Sequence, residues 1–165
     1  MRTYRDNILL TIKSLLNDTA PLQDALDFGA GDGWFTKELC KAGVSRRITP
    51  IDTHLRAKNH VAPIIYNGEK LPFDDKSFEL AFSIDVLHHC THPRQQFYEI
   101  SRCAKDYLLV KDHYCNSWSS RFALGVVDRL SNWRHGVACP CNHQFEWEWL
   151  SWAHQDGFVL EKLVH

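Results

Sequence analysis

Ala25-Leu-Asp-Phe-Gly-Ala-Gly-Asp-Gly33 is the stretch that decides how this chain folds. The apolar residues from Leu22 to Phe28 predict a buried strand, and the helical pattern from Trp34 to Ala42 ends at Gly43. The stretch therefore reads as a strand, a glycine turn and a helix. Because residues without a Cβ let the backbone come close to a ligand, and because the first amides of a helix are free, such a turn favours ligand binding.

The rest of the chain alternates between strand and helix patterns, which predicts an α/β fold with a parallel sheet covered by helices on both faces. The further elements expected are a leading helix around residues 8–16, strands 48–51, 62–66, 78–83 and 107–110, a helix beginning near Pro93, a helix 144–156 and a last strand 158–164. Pro50 removes a backbone donor and predicts a short or bulged second strand.

Composition limits the classes of function. The chain has 165 residues and suits a single domain, with 19 Lys and Arg against 20 Asp and Glu. A net charge of -1 argues against a dedicated nucleic-acid binder. No apolar run approaches the length of about 18 residues that spans a membrane, and the first residues lack an apolar signal core. The sequence thus predicts a cytoplasmic protein whose six cysteines are reduced.

Asp52 ends the strand that follows the glycine turn, 21 residues after Gly31. A carboxylate at this place can accept hydrogen bonds from both hydroxyls of a ribose, so the turn and the acid together indicate a nucleoside site. The fingerprint of NAD-binding proteins requires a third glycine where Trp34 stands, which disfavours a nicotinamide-dependent reductase. Asp27 is either a ligand-facing residue or a buried anchor of the turn, and a tight turn without a ligand is the alternative for the glycines.

Four stretches in this order resemble the class I S-adenosylmethionine-dependent methyltransferases, and among them the small-molecule branch that includes quinone-biosynthesis methyltransferases. They are the glycine turn, Ile51-Asp52, Asn67-Gly-Glu-Lys-Leu-Pro-Phe-Asp-Asp-Lys-Ser-Phe-Glu-Leu80 and Ser83-Ile-Asp-Val-Leu-His-His89. The resemblance covers about residues 22–110. It implies a Rossmann-like fold, S-adenosylmethionine as cofactor with S-adenosylhomocysteine as product, and methyl transfer to a small organic acceptor at oxygen or carbon.

The resemblance also assigns residues to the cofactor. Those expected to bind it are Asp27, Phe28, Gly29, Ala30, Gly31, Asp52, Thr53, Asn67, Gly68, Glu69, Ser83, Ile84, Asp85 and His88. The glycine turn would lie against the methionine part, Asp52 would hold the ribose, and Thr53 with Asn67 and Gly68 would border the adenine. The family usually has Asp where this chain has Asn67, but Asn keeps an acceptor oxygen for the adenine amino group.

Two departures from the family concern the sheet. The segment between Thr53 and Ala62 is shorter than the helix that the family carries there. The sequence provides one terminal strand, so the closing seventh strand of the family is missing and leaves an open edge. The edge is expected to be covered by a second copy or a partner, to stay open, or to mark a truncated chain. The expected regions are a leading helix 1–20, a cofactor-binding core 21–112, a cap and substrate region 113–143, and a final helix and strand 144–165.

Histidines near the strand ends are the candidates for acid–base chemistry. A methyl acceptor with a hydroxyl must lose a proton, and a neutral imidazole suits this task near neutral pH. His113 follows the fifth strand at the edge where open α/β sheets bind ligands, so it is either a base or a simple loop histidine. His89 is a second catalytic candidate, and Asp85 is expected to orient His88 and His89.

The region after His113 is rich in tryptophan and contains Cys139-Pro-Cys-Asn-His143. Thiolates and imidazoles bind zinc, but the spacing lacks the usual two-residue separation of the cysteines, so no metal is predicted. The tryptophans line an acceptor pocket or build the core of the cap, and core packing is favoured for Trp149 and Trp152. The alternative to a methyltransferase is a cofactor-binding but catalytically incomplete partner or regulatory protein.

Overall fold

The computed structural model describes residues 3–19, 21–115 and 142–164, together with residues 117, 119, 122 and 126. The helices are α1 (Tyr4–Leu15), α2 (Trp34–Lys41), α3 (Pro93–Cys103) and α4 (Glu146–Gln155), and the strands are β1 (Leu22–Phe28), β2 (Ser45–Asp52), β3 (Ile64–Ile65), β4 (Phe78–Ile84), β5 (Ala104–Lys111), β6 (Tyr114–Cys115) and β7 (Gln144–Phe145). A short 3-10 turn, Leu87–His89, follows β4.

The main sheet contains five parallel strands in the order β3-β2-β1-β4-β5, and β6 pairs with β7 in a separate two-stranded parallel sheet. The chain runs outward from β1 to β3 on one side and from β4 to β5 on the other. This reversal creates a switch point at the carboxyl ends of β1 and β4, where open sheets of this kind bind ligands. The predicted Rossmann-like α/β fold is confirmed.

Both faces of the sheet are buried. On one face, Ile8 and Ile12 of α1 and Leu39 of α2 pack against apolar residues of β1, β2 and β4. On the other face, Phe97 and Ile100 of α3 lie in the core and α4 packs outside them. Strands covered on both sides need near-continuous apolar sequence, and this explains the apolar runs in β1 and β4.

The second strand differs from the prediction, because β2 is eight residues long and pairs with β1 in continuous register through Pro50. The carbonyl of Ile51 accepts from Gly29 and Ala30 beyond β1, whereas the carbonyl of Asp52 accepts from Tyr66 on the β3 side. Since parallel strands alternate their bonding side, the nitrogen of Pro50 faces the β3 side, where pairing begins only at Ile51. The missing donor therefore interrupts nothing, and a short or bulged strand was the wrong expectation.

The predicted last strand, 158–164, is also wrong, because these residues have no strand pairing. The segment instead contacts the end of α1, where Lys162 Nζ donates to the Leu15 carbonyl at 3.0 Å and to Asp18 at 3.0 Å. Within the part of the chain that the structure describes, β5 pairs with β4 alone and its outer edge is open. The final helix begins at Glu146 and not at Gln144, which belongs to β7.

Candidate active site

The glycine turn lies at the switch point and is bonded to the end of β2. The Gly29 and Ala30 amides donate to the Ile51 carbonyl at 2.8 and 3.1 Å. The Gly31 amide donates to Asp52 Oδ2 at 2.8 Å. The structure thus brings together the predicted methionine-binding turn and the predicted ribose-binding acid.

The three glycines of the turn have positive φ angles, and each serves a different contact. A Cβ on Gly29 would lie 2.4 Å from Val86, and one on Gly33 would lie 2.2 Å from the Val61 carbonyl oxygen. A Cβ on Gly31 would meet nothing within 4 Å. Gly29 and Gly33 are therefore required for packing, whereas Gly31 faces the open crevice.

Asp52 is nearly buried at the end of β2. Its Oδ1 accepts from the Thr53 amide at 2.6 Å and from the His54 amide at 3.1 Å, while Oδ2 accepts from Gly31. A carboxylate offers about four lone-pair directions, so three donors leave room for a ligand hydroxyl. The backbone thereby holds the carboxylate at the crevice in one orientation.

Two roles were predicted for Asp27, a ligand-facing residue or a buried anchor of the turn, and its position in the structure fits the buried anchor. It is 3% exposed, and its Oδ2 accepts a hydrogen bond of 2.6 Å from Thr36 Oγ1 in α2. Burial raises the pKa of Asp27 to about 7, although the hydrogen bonds from Thr36 oppose this effect. The carboxyl fastens α2 to β1, and sequence alone does not reveal Thr36 as its partner.

The predicted adenine side forms a loop after β3. The Glu69 amide donates to Asn67 Oδ1 at 3.0 Å, and a Cβ on Gly68 would lie 3.4 Å from the Thr53 side chain. Gln96 of α3 donates to the Gly68 carbonyl at 2.8 Å and holds this loop in place. Thr53, Asn67 and Gly68 therefore lie on one side of the crevice, with Asn67 exposed.

The end of β4 forms the opposite wall. Ser83 is fully buried, and its hydroxyl is without a hydrogen-bond partner among the described residues. Asp85 has a positive φ of 55° and accepts hydrogen bonds from Tyr4 Oη at 2.9 Å and from Lys111. Within the described residues Asp85 is not bonded to His88 or His89, which it was expected to orient. Its hydrogen bonds go to Tyr4 and Lys111, and His113 Nε2 lies 3.8 Å from it.

An imidazole cluster of His88, His89, His113 and His143 lies beside this wall. His88 and His143 are buried, and their rings stack with centroids 5.2 Å apart. The His88 ring also contacts His89 at 4.0 Å and His113 at 5.2 Å between centroids. The two catalytic candidates, His89 and His113, therefore both adjoin His88.

Asp112 is the functional residue that the sequence prediction missed. Its Oδ1 lies 2.5 Å from His88 Nδ1. Burial is the largest single influence and opposes its ionisation, but the hydrogen bonds and charges of His88 and His113 together hold the pKa of Asp112 below its usual range. The signal that could have found it is its place, because it follows a strand at the same sheet edge as Asp52 and Asp85.

Comparisons with known proteins agree with this geometry. Residues 26–107 match the model of a family described as a methyltransferase domain. The chain belongs to this methyltransferase family. Similar solved structures are the YcgJ protein from Bacillus subtilis (19% identity, 91% of this chain and 67% of that chain, TM-score 0.72) and an S-adenosylmethionine-dependent methyltransferase from Mesorhizobium loti (14%, 97% and 83%, 0.70). A phosphoethanolamine N-methyltransferase from Haemonchus contortus with S-adenosylhomocysteine is similar over 93% of this chain and 37% of that chain (18%, 0.64). No curated protein sequence matches the chain.

The residues present in the crevice of the methyltransferase fit S-adenosylmethionine, the cofactor that the sequence predicts. Gly31 leaves a cradle that a Cβ would enter, Asp52 keeps an acceptor position, and the Ser83 hydroxyl is a buried polar group in need of a partner. The crevice therefore offers backbone, carboxylate and hydroxyl groups at separate places.

Several predictions concern other parts of the methyltransferase. Trp149 and Trp152 of α4 pack against Phe97, which confirms their predicted role in the core. Cys139 and Cys141 lie outside the described residues, as do Trp118 and Trp133 of the tryptophan-rich region. Among the residues that the structure does describe, no group of three His, Cys, Asp or Glu side chains is arranged to hold a metal. Likewise, no helix within those residues is long and apolar enough to cross a membrane.

The first turn of α1 bridges the two walls of the crevice, which the sequence did not indicate. Arg5 forms an ion pair of 2.8 Å with Asp32 in the glycine turn. One residue earlier, Tyr4 donates to Asp85 and accepts from Lys111 Nζ at 2.5 Å. A leading helix was predicted, but its contacts join residues 27 and 81 positions apart, which sequence spacing does not reveal.

Proposed function

We propose that the enzyme transfers the methyl group to a small organic acceptor, at oxygen or at carbon. The observation that carries the proposal is the position of His113, two residues after β5 at the same edge as the glycine turn. Its ring is 40% exposed, so it can reach an acceptor, and its neighbours include the buried imidazoles of His88 and His143 and the Asp85 carboxylate. An exposed imidazole supported in this way suits a general base.

The cofactor, when bound, supplies a methyl group already activated by a sulfonium. The chain then has to hold this group in line with the acceptor and to exclude water. We assign the methionine part to Gly29–Gly31, the ribose to Asp52, and the adenine to Thr53, Asn67 and Gly68. Ser83 and Ile84 would line the wall near the sulfonium.

His113 would receive the proton of the acceptor. The cofactor would supply the methyl group and would leave as the neutral thioether S-adenosylhomocysteine, while a ring nitrogen of His113 would accept the proton that the acceptor oxygen or carbon loses. His89 is the second candidate for this step. A neighbouring carboxylate, Asp85, would offset the positive charge that the ring gains.

Two features favour a small acceptor over a nucleic acid. The chain has a net charge of -1, which supplies no excess of cations for a phosphate backbone. Ser83-Ile-Asp-Val86 stands where methyltransferases of base amino groups carry an Asn/Asp-Pro-Pro-Tyr element.

The open outer edge of β5 is a candidate site for a second copy or a partner chain.

Two measurements test the proposal. Calorimetry should detect binding of S-adenosylhomocysteine, and the Asp52→Ala variant should lose about 1.5 to 3 kcal/mol of that affinity, as expected for charge-assisted hydrogen bonds. Asp24→Ala is the matched control, because Asp24 also lies on the sheet but bonds Arg47 at the far end of β1. Equal affinity of the Asp52 variant would show that the ribose assignment is wrong.

Methyl transfer is then measured with a panel of phenols, quinol precursors and carboxylic acids. Transfer to at least one member supports a small acceptor. Binding of S-adenosylhomocysteine without transfer to any member would favour the alternative of a cofactor-binding partner protein.

A further inference from the structure

Asp112 joins the segments that follow β4 and β5. Its side chain is 1% exposed. Its Oδ2 accepts from the Leu87 amide at 2.9 Å and from the His88 amide at 3.3 Å, while Oδ1 bonds the His88 ring and accepts from the His113 amide at 2.7 Å. One carboxylate therefore fixes the turn after β4, the ring of His88 and the backbone of His113.

These hydrogen bonds determine how the imidazole rings around Asp112 are arranged. The His88 ring cannot rotate freely, because its Nδ1 is bonded to Asp112 and its faces meet His89 and His143. The His113 ring packs edge-to-face on His88, at an interplanar angle of 62°. Asp85 lies 3.8 Å from His113 Nε2 and also forms an ion pair with Lys111. His113 thus adjoins both a fixed imidazole and a carboxylate.

We propose that Asp112 is a positioning residue for methyl transfer, which acts by holding His113 in place through its backbone amide and through the ring of His88. The inference rests on the proposed function, in which His113 takes the acceptor proton. Asp112 itself is buried and touches neither cofactor nor acceptor. Its ionised state also balances the charge that the imidazole cluster gains when His113 is protonated.

A double-mutant cycle separates positioning from simple structural support. Asp112→Asn keeps the size of the side chain but replaces one acceptor oxygen with an amide group, so it cannot accept from both the turn and the His88 ring. If Asp112 acts through His113, turnover should fall at least tenfold in Asp112→Asn, and the double variant with His113→Ala should be no slower than His113→Ala alone. The KM for S-adenosylmethionine should stay within twofold, because Asp112 does not line the cofactor crevice.

Glu99→Gln is the matched control, because Glu99 is also a buried carboxylate that accepts from a backbone amide, that of Leu71, but it lies on α3 away from the cluster. Its effect on turnover should be additive with that of His113→Ala. Additive losses for Asp112→Asn as well would overturn the positioning role. Normal calorimetric binding of S-adenosylhomocysteine to Asp112→Asn and Glu99→Gln would show that cofactor binding, as proposed above, does not depend on whether Asp112 positions His113.

A measurement without an acceptor tests the same inference. In NMR spectra of the full chain, contacts between the ring protons of His88 and His113 should be present in the wild type and in Glu99→Gln. They should be lost in Asp112→Asn while the far-ultraviolet circular dichroism is retained. Persistence of these contacts in a folded Asp112→Asn variant would refute the proposal even if the panel contains no acceptor.

Discussion

Asp27 should make the protein less stable as the pH rises through neutrality. The carboxyl is 3% exposed, and burial raises its pKa to about 7, from an ordinary value of 3.8. Because the pKa is higher in the folded chain than in the unfolded chain, the stabilising contribution is complete below pH 3.8 and is lost as the pH rises through 7. A pKa difference of about three corresponds to about 4 kcal/mol at alkaline pH, of which about 2 kcal/mol falls between about pH 5.5 and 8.5.

The substitution Asp27→Asn should remove this loss. The amide oxygen can still accept the hydrogen bond from Thr36 Oγ1, but the side chain no longer ionises. Urea unfolding of both proteins across this pH range gives the free energy of unfolding, and the difference between the two curves cancels the histidines that titrate in both. The variant should gain about 2 kcal/mol relative to the wild type from the acid to the alkaline end of the range. A difference curve that is flat within about 0.5 kcal/mol would refute a raised pKa for Asp27.

The remaining predictions concern the glycine turn and a buried ion pair. Gly31→Ala should lower the free energy of unfolding by about 1 to 2 kcal/mol, because residue 31 has a positive φ, and it should abolish measurable S-adenosylhomocysteine binding. Gly33→Ala should lower the free energy of unfolding by about 2 to 5 kcal/mol, because its Cβ also overlaps the Val61 carbonyl. Urea unfolding and calorimetry check both, and equal stability of the two variants would contradict the packing role of Gly33. Glu99→Gln should lower stability by about 1.5 to 3 kcal/mol at neutral pH. Burial is the largest single influence and raises the pKa of Glu99, but the hydrogen bonds from Arg102 and Leu71 and the charges of Arg102 and Lys70 together lower it below its usual value. The loss should therefore shrink as the pH falls through that lowered pKa, and a loss independent of pH would argue against the ion pair.

The sequence predicted the parallel core of the fold well, because strands buried on both faces and amphipathic helices produce periodic patterns. Leu22 to Phe28 and Trp34 onward became β1 and α2 almost as expected. The prediction of a short or bulged second strand at Pro50 was wrong, because the effect of a proline depends on which side of the strand its nitrogen faces. That side is set by the register with β1 and β3, which is a property of three strands and not of one.

The terminal segment shows a second limit of sequence reasoning. Phe158 to Val164 has the apolar content of a strand, but apolar content alone does not decide whether a segment pairs with a sheet edge. The ion pair between Lys162 and Asp18 joins residues 144 positions apart, and no local pattern reveals it. The outcome there depended on tertiary contacts.

The sequence predicted those parts of the candidate site that are formed by recognisable sequence motifs. The glycine turn and Asp52 could be named because backbone approach and ribose recognition require particular residue types at particular strand ends. Asp112 was missed because a carboxylate next to His113 has no motif of its own, and its importance arises only when the turn after β4 folds against it. Thr36 was missed for the same reason.

The fastening of α1 has a consequence for how the two walls of the crevice are held together. Ile8 and Ile12 hold the middle of this helix in the apolar core, whereas its first turn is attached to both walls by Arg5 and Tyr4 through polar contacts at the surface. Exposed ion pairs of this kind contribute little and weaken with added salt. Added salt should therefore loosen the first turn of α1 from both walls while Ile8 and Ile12 keep the rest of the helix in the core. The two walls would then lose a shared attachment without any change in the packed body of the sheet.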